Sequence, residues 1–146
     1  MQIVSVNTAA ARATRINGRE VMTAIGKQPR SGPVACGPMG LGGDEQADLS
    51  VHGGLSKAVY AYPAEHLAFW RTVRAQARAS GWDDEVPPGA VGENLTVTGI
   101  TERSLWIGDR LCLAGGVVLA VSEPRFPCFK FNAAMGFNQA SKLMAQ

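Results

Sequence analysis

Residues 94–124 read NLTVTGITERSLWIGDRLCLAGGVVLAVSEP, and the fold class turns on this stretch. It breaks into three short runs rich in β-branched and large apolar residues: NLTVTG at 94–99, SLWIGDRLCLAG at 104–115 and GVVLAVSEP at 116–124. Such runs suit strands. The Gly108-Asp109 and Gly115-Gly116 pairs fit tight turns between antiparallel neighbours.

Upstream of this block, KAVYAY at 57–62 reads as a strand leading into the one main helix. Pro63 suits a first helical turn, Leu67, Trp70, Val73 and Ala77 recur at helical spacing, and Gly81 supplies the stop. Arg71, Arg74 and Arg78 would cover the helix's outer flank. At the amino end, IVSVN at 3–7 starts a sheet, with REVMTAI at 19–25 as its expected neighbour across an Asn17-Gly18 turn. Residues 26–57 are crowded with Gly and Pro and read as a long loop, which inside a compact domain is usually functional or mobile. Short strands, irregular loops and a single main helix give a β-rich α+β fold, a partly closed β-barrel in outline.

The chain of 146 residues suits one domain, 1–146, at roughly 100–200 residues per domain. Charged residues are 18% of the chain, against a usual ~25%, and 17 Gly plus 8 Pro fall short of low complexity, which excludes disordered and collagen-like chains. Fourteen Lys and Arg against 12 Asp and Glu leave +2, too little for a general nucleic-acid binder. No run approaches ~18 consecutive apolar residues, and MQIVSVNTAAARATR lacks the basic start and apolar core of a secretory signal, so the expectation is a cytoplasmic protein without a membrane partner. Cys36, Cys112 and Cys128 are widely spaced, form no CxxC pair and are expected to be reduced thiols rather than zinc ligands.

Three constellations carry candidate chemistry. In EPRFPCFKFN at 123–132, Pro124 and Pro127 bracket Cys128 in a stiff extended turn, with Arg125 and Lys130 close in sequence. Positive charge favours the thiolate, the form that attacks electrophiles or binds soft metals; the plainer alternative is a small apolar residue packed under a loop. Cys112, in the apolar run LCLAG, reads as core filler, and Cys36 as structural. His52-Gly53-Gly54 with Lys57 combines glycines that let a backbone approach a ligand with a nearby cation, a setting for an anion such as phosphate; a turn histidine is the alternative. Asp44 and Asp48 would anchor the same loop through backbone amides. Gly92-Glu93-Asn94 opens a strand, where Glu93 has the chemistry of a general acid or base and Asn94 offers a donor and an acceptor to a heterocycle, unless both only shape a turn. His66 and Trp70, on the helix, are given structural roles.

In this order the segments GLGGDEQADLSVHGGLSKAVYAYPAEHLAFW (40–70), VGENLTVTGITERSLWIGDRL (91–111) and VSEPRFPCFK (121–130) resemble the MOSC family, the molybdenum cofactor sulfurase carboxy-terminal domain, in its YiiM-like branch. The resemblance implies a barrel-like domain whose cysteine ligates molybdenum at the mouth of a cationic cleft holding molybdopterin. It further implies reduction of N-hydroxylated small molecules, hydroxylated purine bases among them, with electrons from a separate reductase. By motif position Cys128 is the implied metal ligand and a catalytic group with His52 and Glu93, while Lys57, Arg125, Asn94, Gly53 and Gly54 would hold the cofactor. The family also has an association with pyridoxal phosphate binding. Two other readings share the same residues: a sulfur carrier with a persulfide on Cys128, and a non-catalytic cofactor-binding domain. Family members usually continue beyond the position of Gln146 through further strands and a helical segment, so a shortened member or a fragment is expected.

Overall fold

The computed structural model describes residues 1–49 and 51–145. β1 (Gln2–Thr8) extends the IVSVN run by one residue at each end. β2 (Arg12–Ile16) and β3 (Arg19–Thr23) form an antiparallel hairpin of their own, with Ile16 opposite Arg19. Asn17 and Gly18 both take positive φ, 50° and 77°, as a two-residue turn of this hand requires. The expected pairing of 19–25 with 3–7 is therefore corrected. A two-residue turn joins the strands that directly flank it, so Asn17-Gly18 pairs β3 with β2, and β1 finds other partners.

The Gly- and Pro-rich stretch is mostly irregular, as expected, and contributes only the two-residue pieces β4 (Gln28–Pro29), β5 (Cys36–Gly37) and β6 (Gly40–Leu41). Of the strand expected at 57–62, only the end is strand. A 3₁₀ turn occupies Leu55–Lys57, and β7 is Ala61–Pro63. β8 (Leu95–Thr98) is central in a four-stranded sheet of order β4-β1-β8-β7, antiparallel to β1 and parallel to β7. Covered on both faces, Leu95, Thr96 and Val97 are all buried, so β8 reads as a continuous rather than an alternating run.

β9 (Arg110–Cys112) and β10 (Val118–Ala120) make a separate antiparallel ribbon, turned at the Gly115-Gly116 pair. Leu111 and Leu119 are paired and half-buried while their neighbours face solvent. Cys112 is therefore exposed, which corrects its reading as core filler: a strand covered on one face sends alternate residues outward. The described strands form no closed barrel, and the whole is a mixed α+β, sheet-rich fold with a few helices.

The main helix is shorter than its periodicity suggests. A 3₁₀ turn at Ala64–His66 precedes α1 (Leu67–Gln76), which ends before Gly81 because Arg78 adopts φ 57° and the Ala79 N–H returns to Arg74 O at 2.9 Å. Two further helices, α2 (Phe129–Met135) and α3 (Ala140–Met144), were not expected. Each has at most two turns, too short to announce itself by period and stable only through tertiary contact. Gly136, at φ 82°, closes α2 by donating to Asn132 O. The Asn132 side chain then accepts the Ser141 N–H at 2.7 Å and so starts α3. Phe131 and Met135, one turn apart, bury against Trp70, whose ring meets Phe131 edge-on at 5.1 Å and whose Nε1–H donates to the Tyr62 hydroxyl at 2.6 Å. This core lies beneath α1 and α2; a second, smaller one gathers Leu41, Leu95 and Val97.

Candidate functional site

The proline-framed turn at 124–127 delivers Cys128 in extended conformation to the head of α2, half-buried. It lines an open cleft. The walls come from the end of β3, the 44–52 loop, Tyr60 and the approach to β8, besides the Cys128 segment itself. At the mouth, Cys128 shares an adjoining hollow with His52, Lys57, Arg125 and Lys130, where Asp48 is the one carboxylate among the lining residues. The surroundings of the sulfur are cationic.

Each cation is fixed. Lys57 Nζ donates to Val51 O at 3.2 Å and lies 3.6 Å from Glu123, and the Ser122 hydroxyl bonds Ser56 O, so the histidine loop is tied to the cysteine turn. The Arg125 guanidinium sits over the Tyr60 ring, 5.3 Å from its centroid, a cation–π arrangement that holds it at the wall. Lys130 Nζ donates to Met22 O at 2.8 Å, linking α2 to β3. Burial first, and then Arg125 and Lys130, hold the His52 imidazole below its ordinary value of 6.5. It is neutral at neutral pH. Burial likewise raises the Tyr60 phenol above its usual range, which keeps it uncharged beneath Arg125.

A polar scaffold supports the floor. Asn94 Oδ1 accepts the Tyr60 N–H at 3.1 Å, and its Nδ2 donates to Asn7 O at 3.3 Å and to Asp44 Oδ2 at 2.8 Å. Asp44 Oδ1 in turn accepts the Ala9 N–H at 2.9 Å and pairs with Lys27. The expected anchoring of the loop by Asp44 through a backbone amide is what the geometry shows.

Glu93 is fully buried behind this wall. Its Oε1 accepts from Gly89 N–H at 2.6 Å and from the Thr96 hydroxyl at 2.8 Å, while Oε2 has no hydrogen-bond partner among the described residues. Burial pushes its carboxyl up from the usual range.

Of the residues singled out by sequence, Cys128, His52, Lys57, Arg125 and Asn94 come together on one cleft. Glu93, Gly53 and Gly54 do not line it. The Gly54 N–H is spent on Gln46 Oε1 at 3.2 Å rather than left for an anion, and the Gln46 side chain packs directly on Gly53. Sequence reasoning assigned no site role to Lys27 or Tyr60, both on the cleft wall. Lys27 lies in a Lys-Gln-Pro loop and Tyr60 inside a strand-like run, so neither carries a local signal.

Residues 48–146 match the family model described as the MOSC domain. The chain belongs to the MOSC domain family. This MOSC chain is 42% identical over 135 residues to a protein named Reductase from Gibberella moniliformis (strain M3125 / FGSC 7600), covering 90% of this chain and 23% of that one. Similarity to the Uncharacterized protein YflK of Bacillus subtilis (strain 168) is 37% over 94% of this chain and 58% of that protein; for Protein YiiM of Escherichia coli (strain K12) it is 38% over 84% and 52%. The crystal structure of YiiM from Geobacillus stearothermophilus matches with a TM-score of 0.72 at 32% identity, covering 99% of this chain and 62% of that one. The chain thus spans about half the length of the bacterial relatives. MOSC domains are associated with the molybdenum cofactor, and no helix among the described residues is long and apolar enough to cross a membrane.

Proposed function

We propose that this MOSC domain binds the molybdenum cofactor in the Cys128 cleft, with the Cys128 sulfur as metal ligand, and serves the reduction of N-hydroxylated small molecules. The observation that carries the reading is the placement of one accessible cysteine among Lys57, Arg125 and Lys130 on a single cleft. The donor set fits the group. Molybdopterin is an anion with a phosphate tail, for which a planar guanidinium and two ammonium groups are suited, and a soft sulfur ligand matches the metal. The similarity to a protein named Reductase supports the reductive direction.

Conversion of N–OH to N–H with release of water consumes two electrons and two protons; the bound cofactor supplies the oxygen-atom chemistry, and a separate reductase the electrons. The protein's own residues bind and orient. Lys57 and Arg125 would hold the anionic cofactor, and Asn94 fixes Tyr60 and Asp44 in the cleft wall. His52 is the proton-transfer group: its imidazolium is disfavoured by burial and neighbouring cations, so once protonated it gives the proton up readily to a departing hydroxyl oxygen. Glu93, enclosed away from the cleft, holds the 89–96 backbone rather than delivering a proton.

Purification from cells that make molybdopterin, followed by metal analysis, tests the reading. Molybdenum near one equivalent in the wild type, lost in Cys128→Ala with the fold intact, is the expected result. Absence of molybdenum from the wild type, or its retention in Cys128→Ala, refutes the assignment. A single-sulfur adduct mapped to Cys128 after treatment with inorganic polysulfide, which gives up one sulfane sulfur to the thiolate and is shortened by one sulfur, without bound metal, would instead identify a sulfur carrier.

A further inference from the structure

The cleft floor carries a pair of charges that the reading above leaves without a task. Lys27 and Asp44 form an ion pair with side chains only 7% and 4% exposed, yet both residues line the cleft. A buried ion pair is a poor stabiliser, because desolvation of two charges offsets their attraction and an apolar pair of similar volume usually serves as well. Its position on the wall of the Cys128 cleft points to recognition.

Both partners are held in place before any ligand arrives. Asp44 Oδ1 also accepts the Ala9 N–H at 2.9 Å, and Oδ2 accepts Asn94 Nδ2 at 2.8 Å. The Lys27 backbone N–H donates to Gly89 O at 2.9 Å, and Gly89 packs so closely on the Lys27 carbonyl that a Cβ there would collide with it. Among the described residues, Asp44 is the hydrogen-bond partner of Lys27 Nζ. An ammonium has three N–H donors and each carboxylate oxygen two lone pairs, so both groups keep capacity for a ligand.

A cationic donor beside an anionic acceptor matches a ring edge that presents a carbonyl oxygen next to an N–H. We propose that Lys27 and Asp44 read the lactam edge of a fused heterocycle, Lys27 donating to the carbonyl oxygen and Asp44 accepting from the ring N–H. The inference rests on the cleft being the cofactor site. Two molecules present that edge: the pterin of the cofactor, and the oxopurine ring of an N-hydroxylated substrate, for which hypoxanthine is a binding probe.

Binding to purified protein tests it, with pterin followed by quenching of its fluorescence and hypoxanthine by calorimetry. Lys27→Met removes the donor; because it strands Asp44, the doubly neutral K27M/D44N is measured beside it. Wild type should bind hypoxanthine at least ~10-fold more tightly than 1-methylhypoxanthine, whose ring N–H is blocked, and both variants should lose ~10-fold or more for pterin and hypoxanthine. Affinity for inorganic phosphate, a property of Lys57 and Arg125, should be unchanged in K27M/D44N. Lower pterin and molybdenum content in K27M/D44N from molybdopterin-making cells assigns the edge to the cofactor. Normal content with loss of hypoxanthine binding to the loaded protein assigns it to the substrate. Equal pterin and hypoxanthine affinity in wild type and K27M/D44N, or no binding of either by the wild type, overturns the inference. Neither result touches the Cys128 assignment, which stands or falls on the metal content of Cys128→Ala.

Discussion

Replacing Glu93 separates a scaffold from a catalyst. In Glu93→Ala two buried donors, the Gly89 N–H and the Thr96 hydroxyl, lose their acceptor. Each orphaned group costs about 1–3 kcal/mol, and the emptied volume adds to that, so a loss of about 3–5 kcal/mol is expected, a large part of a typical total of about 5–15. Glu93→Gln keeps the accepting oxygen and should cost only about 1–2 kcal/mol, for an amide N–H₂ placed where Oε2 has no partner. The pH dependence carries a sign. Burial raises the folded-state pKa of Glu93 above its ordinary 4.5. The folded protein therefore binds the extra proton, and the contribution of the neutral acid is fully present below that value and lost as pH rises through the raised one. Urea unfolding of wild type and Glu93→Gln from pH 4 to 8 should show the wild-type advantage shrinking as pH rises, with Glu93→Gln retaining turnover. An advantage that grows with pH, or a folded, cofactor-loaded Glu93→Gln without activity, refutes the scaffold role.

Gly89→Ala combines a φ of +86° with a Cβ driven into the Lys27 carbonyl, and should cost about 3 kcal/mol or more by chemical denaturation while dislodging Lys27 from the cleft. The His52 ring resonances should titrate with a midpoint below 6.5, moving back toward it in Arg125→Gln. Because the folded form resists that proton, His52 contributes stability above pH 6.5 that is lost as pH falls through the lowered value, and a midpoint at or above 6.5 would contradict this account. Trp70→Phe removes the bond to Tyr62 together with part of a large, fully buried side chain, and a loss of about 2–3 kcal/mol is expected in a urea melt.

Much of the site was legible locally. Pro124 and Pro127 stiffen a turn whatever surrounds it, which is why the presentation of Cys128 beside Arg125 could be read from ten residues. The Asn17-Gly18 turn is equally plain, but the strand on its amino side is not: Arg12–Ile16 carries two arginines in five residues and no strand signal of its own, and only the register shows it paired with β3. α2 and α3 are too short for periodicity to reveal them, and they exist because Phe131, Met135 and Ala140 have Trp70 to pack against.

Local chemistry alone determined the strand-rich character, the single long helix and the stiff cysteine turn, since each follows from residues adjacent in the chain, whereas the docking of that turn on the histidine–lysine loop joins segments far apart in sequence. Which polar groups face a ligand was decided only by tertiary structure. Glu93 and Asn94 are neighbours in sequence, yet one is sealed behind the wall and the other braces the cleft floor. Lys27, from a loop without distinguishing signal, meets Asp44 seventeen positions away. Burial and hydrogen-bond partnership are properties of the packed chain, because they depend on what distant segments bring to the same few ångströms.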